Sequence, residues 1–422
     1  MEYKLHTLGN GLRVVLAPMK GTKTATVMVM CGTGSRYEDE RENGLAHFLE
    51  HMFFKGTKKR KSAKAISEEL DGVGASYNAF TSKERTGYYA KVSSQYLDVA
   101  LDVITDIYLN STLPSKEITK ERGAIIQEID MYEDMPMRTV SNVFDALMFP
   151  DDALGRTILG PKENIRSFSH KDFAHYLKRH YSAANTIVCI AGNFSETKVL
   201  SKIKREFGKL AAGGISKPSS YVAVQDAPRV AIKEKKTDQT QLMLGVPAYP
   251  YLHKDEYALE VLTAILGGGM SSRLFLEVRE KRGLAYSVHA WTDKYPDTGY
   301  LAVQAGVEHA KLEKTIQTIL SEFRKVKRTL ISSAELEKAK AHITGSLTLG
   351  LETSDHIAED AATSMVNLGH IRSLEELIKG VSKVTAKDCQ RVARDILQTH
   401  KLNLAIIGPH TNAAHLHSLL AI

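Results

Sequence analysis

The sequence contains no apolar run long enough to cross a membrane. A transmembrane helix needs about 20 consecutive apolar residues, and no such stretch occurs in the 422 residues. The N-terminus lacks the apolar segment of a secretory signal, and it is not the Arg-rich, acid-poor segment of a transit peptide. These absences predict a cytoplasmic protein without a membrane partner.

Cysteine is scarce, with Cys31, Cys189 and Cys389 widely spaced along the chain. An odd number of distant cysteines argues against a disulfide framework. Because Cys31 and Cys189 lie in apolar, strand-like stretches, we expect buried and unreactive thiols there.

The chain also lacks a concentrated basic patch, although its formal net charge is +7. Its one uninterrupted run of four basic residues, Lys58-Lys59-Arg60-Lys61, is expected to be a solvated loop. The glycines at 267–269 are not followed by the Lys-Ser or Lys-Thr of a P-loop, and Gly32-x-Gly34 lacks the third glycine of a dinucleotide site. We therefore expect no nucleic acid and no nucleotide as a partner.

The chain is long enough for two or three domains, and it shows an internal duplication. Asp172 and Asp388, and likewise Gly192 and Gly408, are both 216 positions apart, each pair in a similar context. A constant offset of this kind indicates two related halves. A segment rich in small residues with Gly and Pro marks the junction, which predicts a first half at 1–212, a linker at 213–225 and a second half at 226–422.

Strands and helices are grouped within each half, so the expected fold class is α+β. Thr24 to Cys31 and Tyr88 to Val92 have strand character, whereas Ala63 to Leu70 and Glu117 to Met131 have helical periodicity.

One pentapeptide, His47-Phe48-Leu49-Glu50-His51, carries the chemistry. On a helix His47 and His51 lie one turn apart on one face, close enough to hold one ion, and zinc accepts imidazole nitrogens. Glu50 borders the same face and can take a proton from water. The alternative is a buried helix with two satisfied histidines, which is costly because two imidazoles and a carboxylate would share one stripe.

A third ligand has to come from elsewhere in the chain. The predicted helix from Glu117 to Met131 offers Glu121 and Glu128, which are seven residues apart and therefore on one face. Spacing alone does not choose between them, and two solvated carboxylates on an amphipathic helix are the alternative.

The sequence as a whole resembles the pitrilysin / mitochondrial-processing-peptidase family of zinc peptidases, the inverzincins, and is most similar to its short bacterial-type single-chain members. The stretch from Gly32 to Glu38, followed by Gly44 and the pentapeptide, matches the family's entry to the zinc helix. The resemblance implies that the metal ligands are His47, His51 and Glu128, that Glu50 is the general base, and that Glu121 supports the metal site. Glu128 follows His51 after a gap of 76 residues, as in the family.

Two further stretches resemble the family's substrate elements. Ser76 to Ser82 is similar to the edge strand on which a peptide is laid, which implies substrate binding by Asn78, Ala79, Phe80 and Thr81. A plain hairpin is the alternative. In the second half, Arg279 and Tyr286 match the pair that completes the site, with the Tyr hydroxyl directed at the developing oxyanion and the Arg holding peptide carbonyls.

The function that the resemblance implies is a zinc metalloendopeptidase acting on short or unfolded peptides. The expected architecture is two duplicated halves, each a mainly antiparallel sheet packed with helices, facing each other as a clam shell around a cleft. Because the second-half counterpart near Leu266 to Met270 has no ligand side chains, we expect one Zn²⁺ per chain. Because the zinc-site residues and the pair Arg279 and Tyr286 occur in one chain, no separate partner is needed, and we expect a homodimer. The alternative is a non-catalytic or processing-complex subunit of the same fold that binds peptides.

Overall fold

The computed structural model of the protein describes residues 2–422. Its strands, numbered in chain order, are β1 (Lys4–Thr7), β2 (Arg13–Pro18), β3 (Thr24–Cys31), β4 (Ser76–Thr81), β5 (Thr86–Ser93), β6 (Thr186–Gly192), β7 (Arg229–Glu234), β8 (Thr240–Ala248), β9 (Ala285–Lys294), β10 (Gly299–Val307) and β11 (Asn403–Gly408). Its helices are α1 (Leu45–Phe53), α2 (Ala63–Asp71), α3 (Leu97–Asn110), α4 (Ser115–Glu133), α5 (Pro136–Met148), α6 (Lys162–Ser167), α7 (His170–His180), α8 (Glu196–Phe207), α9 (Glu256–Gly267), α10 (Leu312–Arg328), α11 (Ser333–Gly350), α12 (Ser354–Asn367), α13 (Leu374–Ser382), α14 (Ala386–Ile396) and α15 (Ala413–Ser418). The α+β class expected from the sequence is confirmed.

Each half of the chain contributes one sheet, and the two sheets have corresponding strand orders. The first sheet runs β1-β2-β6-β3-β5-β4 and the second runs β7-β11-β8-β10-β9. Without β1 the orders match strand for strand. In both sheets the parallel pair joins corresponding strands, β2 with β6 and β7 with β11, and the other pairs are antiparallel. The internal duplication and the mainly antiparallel sheets are therefore seen directly.

The chain forms two compact units that do not follow the sequence order throughout. Unit 1 comprises Met1–Asp130, Arg156–Ser219 and Leu349–Arg372, and unit 2 comprises Met131–Gly155, Ser220–Thr348 and Ser373–Ile422. Each unit thus contains one segment from the opposite half of the sequence. The segment of unit 1 carries α12 and the segment of unit 2 carries α5.

The exchanged helix of unit 1 covers one face of the first sheet. Ile357, Ala361 and Met365 of α12 pack against apolar residues of β2, β3 and β6, among them Met28 and Ile187. The opposite face packs against α1, α3 and α7. Because both faces are covered, every residue of β6 is buried.

The exchanged helix of unit 2 does the same for the second sheet. Val140, Phe144 and Met148 of α5 pack on Met243 of β8 and Ile407 of β11. The sequence division at 212 and 226 did not anticipate this exchange. Its physical reason is that a sheet with apolar residues on both faces needs a helical cover on each face, and the second cover comes from the other half of the chain.

The basic run Lys58-Lys59-Arg60-Lys61 was expected to be a solvated loop, but only its three lysines are exposed. Arg60 is buried, with 3% of its surface exposed, and its guanidinium pairs with Glu69, Asp102 and Asp106. A buried arginine requires such partners, because an isolated charge is costly to remove from water. The predicted burial of Cys31 and Cys189 is confirmed, and Cys389 is buried as well.

Residues 213–225 contain no helix or strand. Among residues 2–422, no helix combines the length and the apolar character that a membrane span requires.

The helix exchange predicts that the two halves of a cut chain stay together. If a specific protease site is inserted in 213–225 and cleaved, we expect both fragments to elute as one species from a sizing column in native buffer and to separate in denaturant. The reason is that each fragment supplies a helix to the other fragment's core, and a fully buried Ile or Met side chain contributes about 1.5–3 kcal/mol. Two separately eluting folded fragments would contradict the exchange.

Candidate metal centre

Helix α1 positions the pentapeptide predicted to bind zinc. Leu45, Phe48, Leu49 and Met52 of this helix are buried in the core of unit 1, which leaves His47 and His51 together on the remaining face. The centroids of the two imidazole rings are 4.7 Å apart. The helical i, i+4 arrangement expected from the sequence is confirmed.

Helix α4 brings Glu128 to this pair. Glu128 Oε2 lies 3.6 Å from His47 Nε2 and 3.6 Å from His51 Nε2. The three side chains each offer one ligand atom, and these atoms all lie within 4.8 Å of one another. Among residues 2–422 no other group of His, Cys, Asp or Glu side chains meets the same criterion.

The spacing of these atoms suits a tetrahedral ion better than it suits hydrogen bonds. A distance of 3.6 Å is too long for a strong imidazole–carboxylate hydrogen bond. Zinc binds such ligands at about 2.0–2.1 Å, so two ligands at tetrahedral angles lie roughly 3.4 Å apart. The donor set of two imidazoles and one carboxylate is one that catalytic zinc uses, together with a water as the fourth ligand.

The other nitrogen of His51 is held by a second carboxylate on α4. His51 Nδ1 lies 2.9 Å from Glu121 Oε1, and Glu121 Oε2 lies 2.6 Å from Lys55 Nζ. An Nδ1–H donated to Glu121 leaves the lone pair of Nε2 directed towards Glu128 and the site. The two glutamates that spacing could not distinguish therefore occupy different places around one ring.

The electrostatics of the site favour a bound cation. Burial, and then the neighbouring His51, lowers the pKa of His47 to about 3, so this imidazole is neutral and able to donate a lone pair. Burial alone would lower the pKa of His51, but the hydrogen bond to Glu121 and the nearby carboxylates raise it. Burial raises the pKa of Glu128, which marks a carboxylate poorly solvated by water.

Glu50 lies beside the three candidate ligands and contacts strand β4. Its Oε2 accepts a hydrogen bond from the Thr81 hydroxyl. Burial raises the pKa of Glu50, and the hydrogen bond from Thr81 and the charge of His51 act in the opposite direction. A carboxylate whose pKa is raised towards neutrality is suited to accept and return a proton.

Strand β4 occupies the edge of the first sheet, as expected for a strand that binds peptide. It pairs with β5 on one side only. Asn78 Oδ1 accepts a hydrogen bond from the backbone N–H of Ala79, and the ring of Phe80 covers Gly87 of β5 so closely that a Cβ there would lie 2.5 Å from the ring. Roles for these residues in substrate binding remain predictions.

Arg279 and Tyr286 belong to unit 2 and lie together there. The Arg279 guanidinium carbon is 4.9 Å from the centre of the Tyr286 ring and 4.8 Å from that of Phe275. Tyr286 is 78% exposed. Arg279 lies in a π-helical segment, Phe275–Glu280, and Tyr286 lies at the start of edge strand β9. Their participation in the metal centre remains a prediction.

Two known protein families match successive parts of the chain. The family described as insulinase (peptidase family M16) matches residues 13–162, and the one described as peptidase M16 inactive domain matches residues 167–343. An uncharacterized zinc protease of Bacillus subtilis is 37% identical over 413 residues, which cover 97% of this chain and 99% of that protein. The chain belongs to peptidase family M16. A second relative, an uncharacterized zinc protease of Streptomyces coelicolor, is 36% identical over 98% of this chain and 92% of that protein.

Two solved structures have the same fold as this chain. A protease from Helicobacter pylori superposes with a TM-score of 0.91 at 26% identity, covering 97% of this chain and 99% of that one. A chain of complex III from Candida albicans superposes with a TM-score of 0.84 at 20% identity, covering 99% of this chain and all of that one. The family resemblance stated from the sequence is confirmed.

Lys55 is one contributor to this M16 site that the sequence reasoning missed. Its ammonium group pairs with the carboxylate of Glu121, and the same carboxylate contacts Nδ1 of His51. Lys55 follows His51 by four residues but lies beyond Phe53, the last residue of α1, so helical spacing gave no signal for this contact. Thr81 was expected to bind substrate, and its contact with Glu50 was not anticipated.

The arrangement predicts that Glu121→Gln weakens metal binding without removing a ligand. Loss of the charged partner leaves His51 less firmly oriented and less basic, so we expect the zinc dissociation constant to rise about 10–100-fold. The measurement is a competition titration against a chromophoric chelator. Glu117→Gln, one turn earlier on α4, is the matched control, because this carboxylate lies 3.9 Å from the exposed Lys120. Equal zinc affinity of both variants would contradict a supporting role for Glu121.

Proposed function

We propose that this M16 protein is a zinc metalloendopeptidase that hydrolyses peptide bonds in short or unfolded peptides. The observation that carries the proposal is the convergence of His47 Nε2, His51 Nε2 and Glu128 Oε2 with Glu50 beside them. The relatives are named as uncharacterized zinc proteases, and these names support the choice of zinc. The single group of candidate ligands among residues 2–422 supports one Zn²⁺ per chain.

In this proposal His47, His51 and Glu128 hold the ion, which when bound acts as a Lewis acid on the attacking water and the peptide carbonyl. Glu50 takes one proton from the water, whose oxygen forms the new bond to the carbonyl carbon. When the carbon–nitrogen bond breaks, Glu50 returns that proton to the departing amine. The raised pKa of Glu50 supports both halves of this role.

The proposed substrate binds as an added strand along β4. The free edge of this strand offers backbone hydrogen bonds that do not depend on the peptide's sequence. Thr81 at the end of β4 contacts Glu50 directly, so a peptide along this edge runs past the general base. Most segments of a folded protein are already paired or packed, which is why the proposal specifies short or unfolded substrates.

Arg279 and Tyr286 enter the proposal through the family resemblance alone. We assign Tyr286 to stabilise the oxyanion and Arg279 to hold peptide carbonyls. A chain that carries both residue sets needs no second kind of subunit, so we propose a homodimer.

A second candidate is a non-catalytic subunit that binds peptides or assembles with other chains. The fold shared with a chain of Candida albicans complex III favours it. The presence of the three candidate ligands and of Glu50 in one constellation argues against it, because a scaffold has no need to bring two imidazoles and two carboxylates together at a partly buried place.

The sharpest test of the proposed chemistry is Glu50→Gln. The amide cannot accept the proton, so we expect cleavage of a quenched fluorescent peptide to fall about 10²–10⁴-fold, a range typical of general acid–base catalysis. Because Glu50 is not a ligand, zinc content measured by mass spectrometry should stay at one ion per chain.

Two further variants serve as controls for this test. Glu68→Gln changes a surface glutamate on α2 that pairs with Lys64, and it should retain full activity. His51→Ala removes a ligand and should lose the metal along with activity. An active Glu50→Gln variant would refute the general-base assignment, and full zinc occupancy in His51→Ala would refute the ligand set.

Removal of the metal should abolish cleavage reversibly. After dialysis against a strong chelator we expect no products from a mixed peptide library, and stoichiometric Zn²⁺ should restore the original cleavage profile, because the ligands are held by the fold. Digestion that continues in the metal-free protein would rule out a metallopeptidase, and zinc binding without any cleavage would favour the peptide-binding subunit instead.

A further inference from the structure

The helix that carries the proposed ligands begins without a capping side chain of its own. The N-cap of α1 is Gly44, in the left-handed region at φ 103°, and it offers no side-chain hydrogen bond. The first N–H groups of a helix have no intrahelical partner. Here Leu45 and Ala46 are buried, so water cannot satisfy them either.

A carboxylate from outside the helix takes the place of the missing cap. Glu38 Oε1 accepts the backbone N–H of Ala46 at 2.6 Å, and Oε2 accepts the backbone N–H of Gly44 at 2.9 Å. The N–H between them, that of Leu45, donates to the carbonyl oxygen of Glu42 at 2.9 Å. An N-cap side chain ordinarily reaches the second or third helical N–H, and Ala46 is the second.

Glu38 is itself held firmly in this place. The side-chain amide of Asn43 donates to Glu38 Oε2 at 3.2 Å and to the carbonyl of Thr157 at 2.9 Å, and the Arg156 guanidinium donates to the backbone carbonyl of Glu38. The glutamate is only 3% exposed. A larger residue at Gly44 is excluded, because a Cβ there would lie 2.6 Å from the carbonyl oxygen of Leu159.

The contacts suit a charged carboxylate at the positive end of the helix. Burial raises the pKa of Glu38 to about 8 even though the hydrogen bonds from Ala46, Gly44 and Asn43 act in the opposite direction. The geometry of these contacts nevertheless favours the charged form. All three partners are donors, so a proton on either oxygen would face an N–H group. The partial positive charge at a helix N-terminus adds to the preference for an anion.

We propose that Glu38 is a positioning residue of the peptidase site, whose carboxylate caps α1 and thereby sets the directions of His47, Glu50 and His51. The inference rests on the proposed zinc site. The helix has only nine residues, and His47 is the third of them. A shift of its first turn therefore moves His47 directly and changes the distance of 3.6 Å between His47 Nε2 and Glu128 Oε2.

The test is Glu38→Gln, which keeps the shape but turns an –NH₂ group towards either Ala46 or Gly44 and Asn43. We expect the zinc dissociation constant of the folded variant to rise about 10–100-fold, as for other groups that orient ligands, and the absorption spectrum of the Co²⁺-substituted protein to shift. Both are measured well below the variant's melting temperature, and both are independent of peptide cleavage. We also expect kcat to fall with KM little changed, since the peptide-binding strand is untouched.

Glu42→Gln is the matched control, because it alters a glutamate of the same segment whose side chain pairs with Arg179 rather than with α1. It should keep the zinc affinity and the Co²⁺ spectrum of the unaltered protein. Should Glu38→Gln not fold, Glu38→Asp decides, since its shorter carboxylate keeps the charge but cannot span both N–H groups, and we expect it to weaken zinc binding.

If Glu38→Gln folds and has a lower melting temperature but an unaltered zinc affinity and Co²⁺ spectrum, the inference is overturned and the proposed function still stands. If Glu38→Gln does not fold, an unaltered zinc affinity and Co²⁺ spectrum in Glu38→Asp would overturn the inference in the same way. An unaltered protein that binds no zinc would instead overturn the proposed function, and the inference with it.

Discussion

The distance of 3.6 Å from Glu128 Oε2 to the Nε2 atoms of both His47 and His51 is the constraint on which the candidate site depends. The three side chains come from two helices that are far apart in sequence, so the spacing exists only while α4 is held against α1. The core of unit 1 provides this, because the buried residues of α1 pack in the same apolar cluster as Ile118 and Ile125 of α4. Apolar packing therefore determines the geometry of a polar site.

Polar contacts then refine the position of a short helix at both of its ends. At the N-terminus Glu38 accepts the N–H groups of Gly44 and Ala46. At the C-terminus Lys55, through Glu121, orients the ring of His51. A nine-residue helix has little intrinsic stability in water, so its orientation relies on these contacts as well as on its buried face.

The two related halves share a scaffold but not the candidate metal ligands. Apart from β1 both sheets have corresponding strand orders, yet the only group of candidate metal ligands among residues 2–422 lies in unit 1. The second sheet needs the same helical covers as the first, since its strands are apolar on both faces, and α5 meets that need. Packing requirements were thus retained in both copies, whereas only one copy carries the ligand side chains.

Much of this could be predicted from local sequence. The strands around 24–31 and 88–92 and the helical pentapeptide follow from local periodicity and spacing, because alternation and the i, i+4 relation are properties of a single element. The duplication follows from the constant offset between the halves. The resemblance then selected Glu128. Spacing alone left Glu121 and Glu128 equivalent, because residues seven apart share one face of a helix.

Only the tertiary structure separates the two glutamates, since the packing of α4 on α1 sets which turn faces Nε2 and which faces Nδ1 of His51. The same holds for the burial of Arg60 among three carboxylates and for the exchange of α5 and α12. Sequence by itself determined which side chains are available for chemistry and on which elements they lie. Which of them meet was decided by how those elements pack, a relation between distant residues that no local pattern contains.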